Sequence, residues 1–179
     1  MAVTGILGGR FDPPHVGHVA LARAGIDWFR IARLHVTVVA DAAHKRSEAP
    51  AEHRLAMARL AFASLGVDVA LEEHRFTVDS LEAAAYEDPV FLIGADQLAA
   101  FRTWKEPDRV LELVRLGVAA RPGFSPETGS DRIELFELKP YDVSSTEIRS
   151  RVRQGEPIDG LVAPAVAAYI ARHKLYSDG

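Results

Sequence analysis

Apolar residues in this chain fall into two kinds of run that alternate along its length. One kind is short and nearly continuous, at residues 3–7, 34–40, 67–71, 90–93, 116–120 and 133–138. Runs of that length, rich in Val, Ile and Leu, read as strands buried on both faces of a parallel sheet. The other kind repeats every three or four residues, the period of a helix with one buried face. It covers 17–30 (Val19, Ala22, Ile26, Phe29), 51–65 (Leu55, Ala58, Phe62, Leu65) and 77–86 (Val78, Leu81, Ala85). Shorter helical stretches follow at 97–101 and 109–114, then longer ones at 144–155 and 164–174.

The punctuation agrees. Gly66 and Gly155 stand where helices end in a left-handed residue, and Pro164 opens the last helix at its first turn. Ser144 and Glu147 have the spacing of a capping box. Residues 124–132 have loop composition. Strands alternating with helices predict an α/β fold with a doubly wound parallel sheet. No repeat or linker divides the chain, so 1–179 is expected to form one unit, with C-terminal helices from about residue 144.

Composition changes this picture little. The 179 residues are 48% apolar and 26% charged, with a net charge of −4 from 21 basic and 25 acidic residues. Bulk electrostatics therefore give no reason to expect nucleic acid as a partner, and an anion site must be a local gathering of basic groups. There are no cysteines, so neither a disulfide framework nor a thiolate metal site is available. No run suits a membrane span or a signal segment, and a cytoplasmic location is expected. A homo-oligomer is left open.

Chemistry concentrates between the first strand and the first helix. Residues 8–18 read Gly-Gly-Arg-Phe-Asp-Pro-Pro-His-Val-Gly-His. Gly8 and Gly9 allow backbone to approach an anion, and the helix that follows turns its N-terminus toward the same place. His15 and His18, three apart, share one face there. Two imidazoles in that position suit the stabilisation of charge on a phosphoryl group.

Further polar residues lie at the ends of the other expected strands, where α/β folds place ligands. Lys45 follows the second strand in the run 41–46, Asp96 follows the fourth and Arg121 the fifth. Ser144, Ser145 and Thr146 offer hydroxyls and free N–H groups at a helix start, with Arg149 one turn on. Together these would suit a triphosphate, which takes bidentate guanidinium and point-like ammonium partners. Each also has a plainer reading. Lys45 suits a solvated loop and Arg149 a helix surface. Ser144 can be a cap alone, Asp96 can cap a helix starting at Gln97, and Trp104 can be lid or core packing.

The string G-G-x-F-D-P-x-H-x-G-H resembles that of the H-x-G-H nucleotidylyltransferases. Within them, four more segments resemble nicotinate mononucleotide adenylyltransferases. They are His44-Lys45, Leu92 to Asp96 with Trp104 eight residues on, Arg121-Pro122-Gly123, and Val143 to Arg149. The tail from Leu161 to Tyr176 is similar too, so the likeness spans nearly the whole chain. It departs in having Ala42-Ala43 before the His-Lys pair, Lys105 after Trp104, and a short stretch between Arg121 and Ser144.

The resemblance implies a Rossmann-like fold and transfer of AMP from ATP to nicotinate mononucleotide, giving deamido-NAD and pyrophosphate. Another adenylyl- or cytidylyltransferase, such as one acting on phosphopantetheine, is the alternative, as is a nucleotide-binding regulator without turnover. It implies that His15, His18, Lys45 and Arg149 act on the phosphates, with His18 nearest the α-phosphate. ATP would be bound by Gly8, Gly9, Phe11, Asp12, Asp96, Ser144, Ser145 and Thr146 as well. Nicotinate mononucleotide would meet Lys45, Thr77, Trp104 and Arg121. Mg²⁺ is implied, carried mainly by ATP phosphates rather than by protein ligands, with Asp12 either orienting it indirectly or serving only the turn. Lys105 adds positive charge beside Trp104 and either favours the acid further or faces water; water is the expectation, since loop lysines usually face it.

Overall fold

A computed structural model describes residues 2–40, 47–123 and 128–177. Six parallel strands form one sheet: β1 (Val3–Gly9), β2 (Ile31–Val39), β3 (Asp68–Glu72), β4 (Pro89–Gly94), β5 (Arg115–Ala120) and β6 (Ile133–Glu137), in the order β3-β2-β1-β4-β5-β6. The order reverses between β1 and β4, which opens a crevice at the carboxyl ends of those two strands. The helices are α1 (Val16–Phe29), α2 (Ala51–Phe62), α3 (Thr77–Ala84), α4 (Ala95–Ala100), α5 (Pro107–Leu113), α6 (Ser145–Gln154) and α7 (Pro164–His173). None is long and apolar enough to cross a membrane among the described residues.

The strands separate two cores because side chains alternate across a sheet. On one face Leu7, Val36, Val38 and Leu92 pack with Ala22 and Phe29 of α1, Met57 and Phe62 of α2, Ile148 of α6 and Ile170 of α7. On the other, Ile6, Phe91, Ile93 and Val118 pack with Val78 and Leu81 of α3 and Val110 of α5. Strand β3 is an edge and its pattern is mostly exposed. Gly25 is required where α1 crosses β4, since a Cβ there would stand 2.4 Å from Leu92 Cδ1.

Several expectations shift. Strand β2 begins at Ile31 rather than 34, because buried Ile31 pairs with Val3 of β1. Helix α4 starts at Ala95 and is braced by Gln97, whose Oε1 accepts the Gly94 N–H, so Asp96 is not its cap. The inward face of α2 is turned by about one residue: Arg54, Met57, Ala58, Ala61 and Phe62 are buried, whereas Leu55 and Leu65 are only half-buried. Only half of the expected capping box forms on α6. Ser144 Oγ accepts the Glu147 N–H at 3.1 Å, but the Glu147 carboxylate turns to Arg151 instead of reaching back.

Candidate active site

The turn after β1 is built from buried side chains rather than exposed ones. A Cβ at Gly9 would lie 2.9 Å from the Phe11 ring, so only glycine lets backbone pass there. Phe11 itself adopts a left-handed backbone, with φ at 49°. That conformation costs a non-glycine residue about 1–2 kcal/mol, and the burial of its ring offsets it. The ring is 2% exposed and meets Phe62 and His18 edge to face, at 5.5 and 5.1 Å between centroids. The Phe11 side chain, expected at ATP, is therefore core, and only its backbone remains for a nucleotide.

Asp12, expected either to orient the metal indirectly or to serve only the turn, is likewise engaged inside the protein. Its carboxylate is buried and accepts from Glu48 N–H at 2.7 Å, Ala49 N–H at 3.1 Å and the Tyr176 hydroxyl at 2.8 Å. Both oxygens are thus engaged within the protein. The Tyr176 hydroxyl, desolvated and facing Asp12, is held protonated well above the ordinary tyrosine range. Asp12 ties the first loop to residues 48–49 and to the C-terminal segment.

His15 and His18 are brought together as expected, with rings stacked at 3.7 Å between centroids. His15 stands at the start of α1 and its N–H donates to His18 Nδ1 at 3.1 Å. That bond fixes His18 as the tautomer bearing its proton on Nε2. Burial lowers His15 to about 4, and burial together with the adjacent His15 holds His18 well below the usual histidine range. Both rings are neutral at pH 7 in the absence of a bound anion. They act as oriented N–H donors rather than as resident charges. His15 Nδ1 is buried with no hydrogen-bond partner among the described residues. A buried polar atom in that state is an incomplete site.

Arg149, on the first turns of α6, is held beside this pair. Its Nε donates to Glu48 at 2.7 Å and one terminal nitrogen donates to the Asp12 carbonyl at 2.8 Å. Burial alone would raise Glu48, but its hydrogen bonds and charge contacts with Arg149 and Arg153 outweigh this and lower it. The Ser145 hydroxyl donates to the Pro13 carbonyl at 2.8 Å, fastening α6 to the first loop. Ser144 caps α6, while Thr146 is exposed near Arg149.

A cavity of about 330 Å³ lies at the carboxyl ends of the strands; His15, His18, Arg149 and the start of α6 are not in its lining. Gly8 and Gly9 line it from the end of β1 and Arg10 from the turn that follows, Thr37 and Val39 from β2, Glu72 from the end of β3, and Thr77 and Trp104 from beyond β3. Trp104 is seated by edge contacts with Phe91 and Phe101, at 6.1 and 5.3 Å between centroids. Thr77 and Trp104 thus line the same cavity. Lys105 does not simply face water: it lines the cavity and its Nζ donates to Asp79 at 2.7 Å. Asp96 and Arg121 are exposed and outside the cavity lining. Lys45 lies outside the described residues, as does His44.

Sequence reasoning missed Arg54. It is 1% exposed and donates to the carbonyls of Ala49, Arg10, Val39 and Ala40, at 3.0, 2.8, 2.7 and 2.8 Å. One guanidinium therefore ties the end of β1 to the end of β2. The available signal was its helical register with buried Met57, Ala58 and Ala61. Glu72 was missed too. Its carboxylate, in the cavity wall, accepts from His74 at 2.6 Å and from the Ser80 hydroxyl. An exposed-looking Leu-Glu-Glu-His run gave no sign of that.

Comparison with known proteins places this geometry. Residues 6–151 match the cytidylyltransferase-like family. A relative from Chromobacterium violaceum, named probable nicotinate-nucleotide adenylyltransferase, is 36% identical over 98% of this chain and 99% of its own. One of the same name from Gemmatimonas aurantiaca is 38% identical over 97% and 92%. In fold the chain is similar to the Plasmodium falciparum nicotinic acid mononucleotide adenylyltransferase solved with NaAD, with TM-score 0.79 and 19% identity over 98% of each chain. An H-x-G-H pair poised over a Rossmann-like crevice, in a chain matched nearly end to end by such relatives, marks it as a member of the cytidylyltransferase-like family, in the branch that carries the nicotinate-nucleotide adenylyltransferase name.

Proposed function

We propose that the protein joins the AMP part of ATP to nicotinate mononucleotide, in the cytoplasm, as a step of NAD biosynthesis. The observation that carries this is the pairing of two neutral, half-buried histidines at the start of α1 with a cavity that begins at Gly8 and Gly9 of the same motif and is lined further on by Thr77 and Trp104.

An oxygen of the mononucleotide phosphate attacks the α-phosphorus. A new P–O–P link forms, the bond from the α-phosphorus to its bridging oxygen breaks, and pyrophosphate leaves with that electron pair. The attacking oxygen is already ionised, so no base is required. Catalysis then consists of positioning two anions and stabilising charge around phosphorus. His18 Nε2–H serves as a preorganised donor to the α-phosphate, and His15 assists on the same face. Arg149, braced by Glu48 and the Asp12 carbonyl, meets the β- and γ-phosphates together with the free N–H groups at the start of α6.

No group of three or more His, Asp or Glu side chains is placed to hold a metal among the described residues. Asp12 is already satisfied by protein donors. This donor set suits a Mg²⁺ ion carried in on triphosphate oxygens and water, which would neutralise the departing pyrophosphate.

Pyrophosphate release tests the reading, with ATP or CTP as donor and the two pyridine mononucleotides or phosphopantetheine as acceptor. Release with ATP and nicotinate mononucleotide is expected. Release only with phosphopantetheine or only with CTP would assign another reaction of the superfamily, and none with any pair would leave a nucleotide-binding regulator.

A further inference from the structure

Lys105 occupies a position that the motifs leave unexplained. From the segment after Trp104 its side chain reaches the first turn of α3, where it donates to Asp79 at 2.7 Å. The ammonium also lies 5.2 Å from the centre of the Phe76 ring. Phe76, Thr77, Trp104 and Lys105 all line the same cavity. No side chain caps α3, so the N–H groups of its first turn add positive potential at this point. The ammonium has donors to spare beyond the one given to Asp79.

The remaining charges in the lining point the same way. Among the described residues of the lining, Arg10, Arg75 and Lys105 are basic and Glu72 is acidic. Glu72 is already occupied by His74 and Ser80. The described part of the wall around Trp104 thus carries more basic than acidic side chains.

We propose that Lys105 is the side chain through which the cavity prefers a pyridine carboxylate over the neutral carboxamide, with Asp79 and Phe76 holding its ammonium in place. This rests on the reading that the cavity takes the acceptor mononucleotide. A carboxylate accepts a charge-assisted hydrogen bond from the ammonium, roughly twice as strong as a neutral one. A carboxamide offers only a neutral oxygen, and its NH₂ group turned the other way sets donor against donor. The preference is thus built from an attraction to one acceptor and a mismatch with the other.

The test compares wild type, Lys105→Met and Lys105→Arg in pyrophosphate release with saturating ATP and either mononucleotide, with thermal midpoints recorded alongside. In Lys105→Met the ratio of kcat/KM for acid over amide falls by about tenfold, through KM for the acid, as loss of one charged hydrogen bond implies. Lys105→Arg, which keeps the charge, retains most of the ratio. A wild-type ratio in a folded Lys105→Met protein overturns the assignment while leaving the proposed reaction standing. Turnover with neither mononucleotide in the wild type overturns the reaction itself and this assignment with it.

Discussion

Removing the guanidinium of Arg54 is expected to be among the most damaging single changes in this protein. The substitution Arg54→Met keeps an unbranched chain as far as the position of Nε and deletes every donor. Four carbonyls, at Arg10, Val39, Ala40 and Ala49, then lose the hydrogen bond Arg54 supplies. Hydrogen bonds from charged donors contribute about 1.5–3 kcal/mol each, but they are not additive, and relief of guanidinium desolvation returns part of the loss. Deleting one member of a buried charged network typically costs about 3–5 kcal/mol, and that range is expected here. It is a large share of a total stability on the order of 5–15 kcal/mol. For a chain of 179 residues it corresponds to a drop of roughly 6–20 °C in Tm, at about 2–4 °C per kcal/mol. Urea unfolding of wild type, Arg54→Met and Arg54→Lys measures this directly. Lysine keeps the charge but lacks the planar fork, so it recovers only part of the loss. A loss below about 1 kcal/mol in Arg54→Met would refute the argument, since it falls under the typical cost of even one unsatisfied buried group.

The remaining predictions concern the histidines and Arg149. Because His15 is lowered to about 4 from 6.5, the unfolded chain binds more protons than the folded one in that interval. Stability is therefore complete above about pH 6.5 and declines as pH falls toward about 4, by at most about 3 kcal/mol for this group. His18, also lowered, acts in the same direction. Urea midpoints at pH 7.5 and 5.0 should show a steeper acid loss for wild type than for a His15→Gln, His18→Gln double variant, and equal slopes would contradict the assignment. His18→Ala should lower kcat by about a hundred- to a thousandfold, with a much smaller change in ATP affinity, as for one preorganised donor; steady-state kinetics on the folded variant decides it. Arg149→Lys should impair ATP use despite keeping charge, because lysine cannot serve Glu48, the Asp12 carbonyl and a phosphate together. Unchanged kcat and KM for ATP would return Arg149 to the helix surface.

The sequence alone determined the layer structure and the location of the chemistry. Runs such as Leu116–Ala120 and the period of Val78 and Leu81 are local signals, and local signals specify strands, helices and their order. The Gly8 to His18 string was legible because it combines a strand end, a glycine turn and a helix start within eleven residues. What the tertiary structure alone decided was which polar side chains are spent inside the protein and which remain for a ligand. Asp12 and Phe11 sit in the motif, yet their side chains are taken by Tyr176, Glu48, Ala49 and Phe62, partners as far as 164 positions away. Arg54 looks like a helix-surface charge until the carbonyls of Arg10, Val39, Ala40 and Ala49 gather on it. Lys105 is exposed, as a loop lysine reads, yet Asp79 and Phe76 hold its ammonium at the cavity wall. Burial and hydrogen-bond partnership depend on contacts between distant segments. No window of the sequence contains both partners, so the same arginine, aspartate or lysine reads alike whether it faces water, a backbone carbonyl or a substrate.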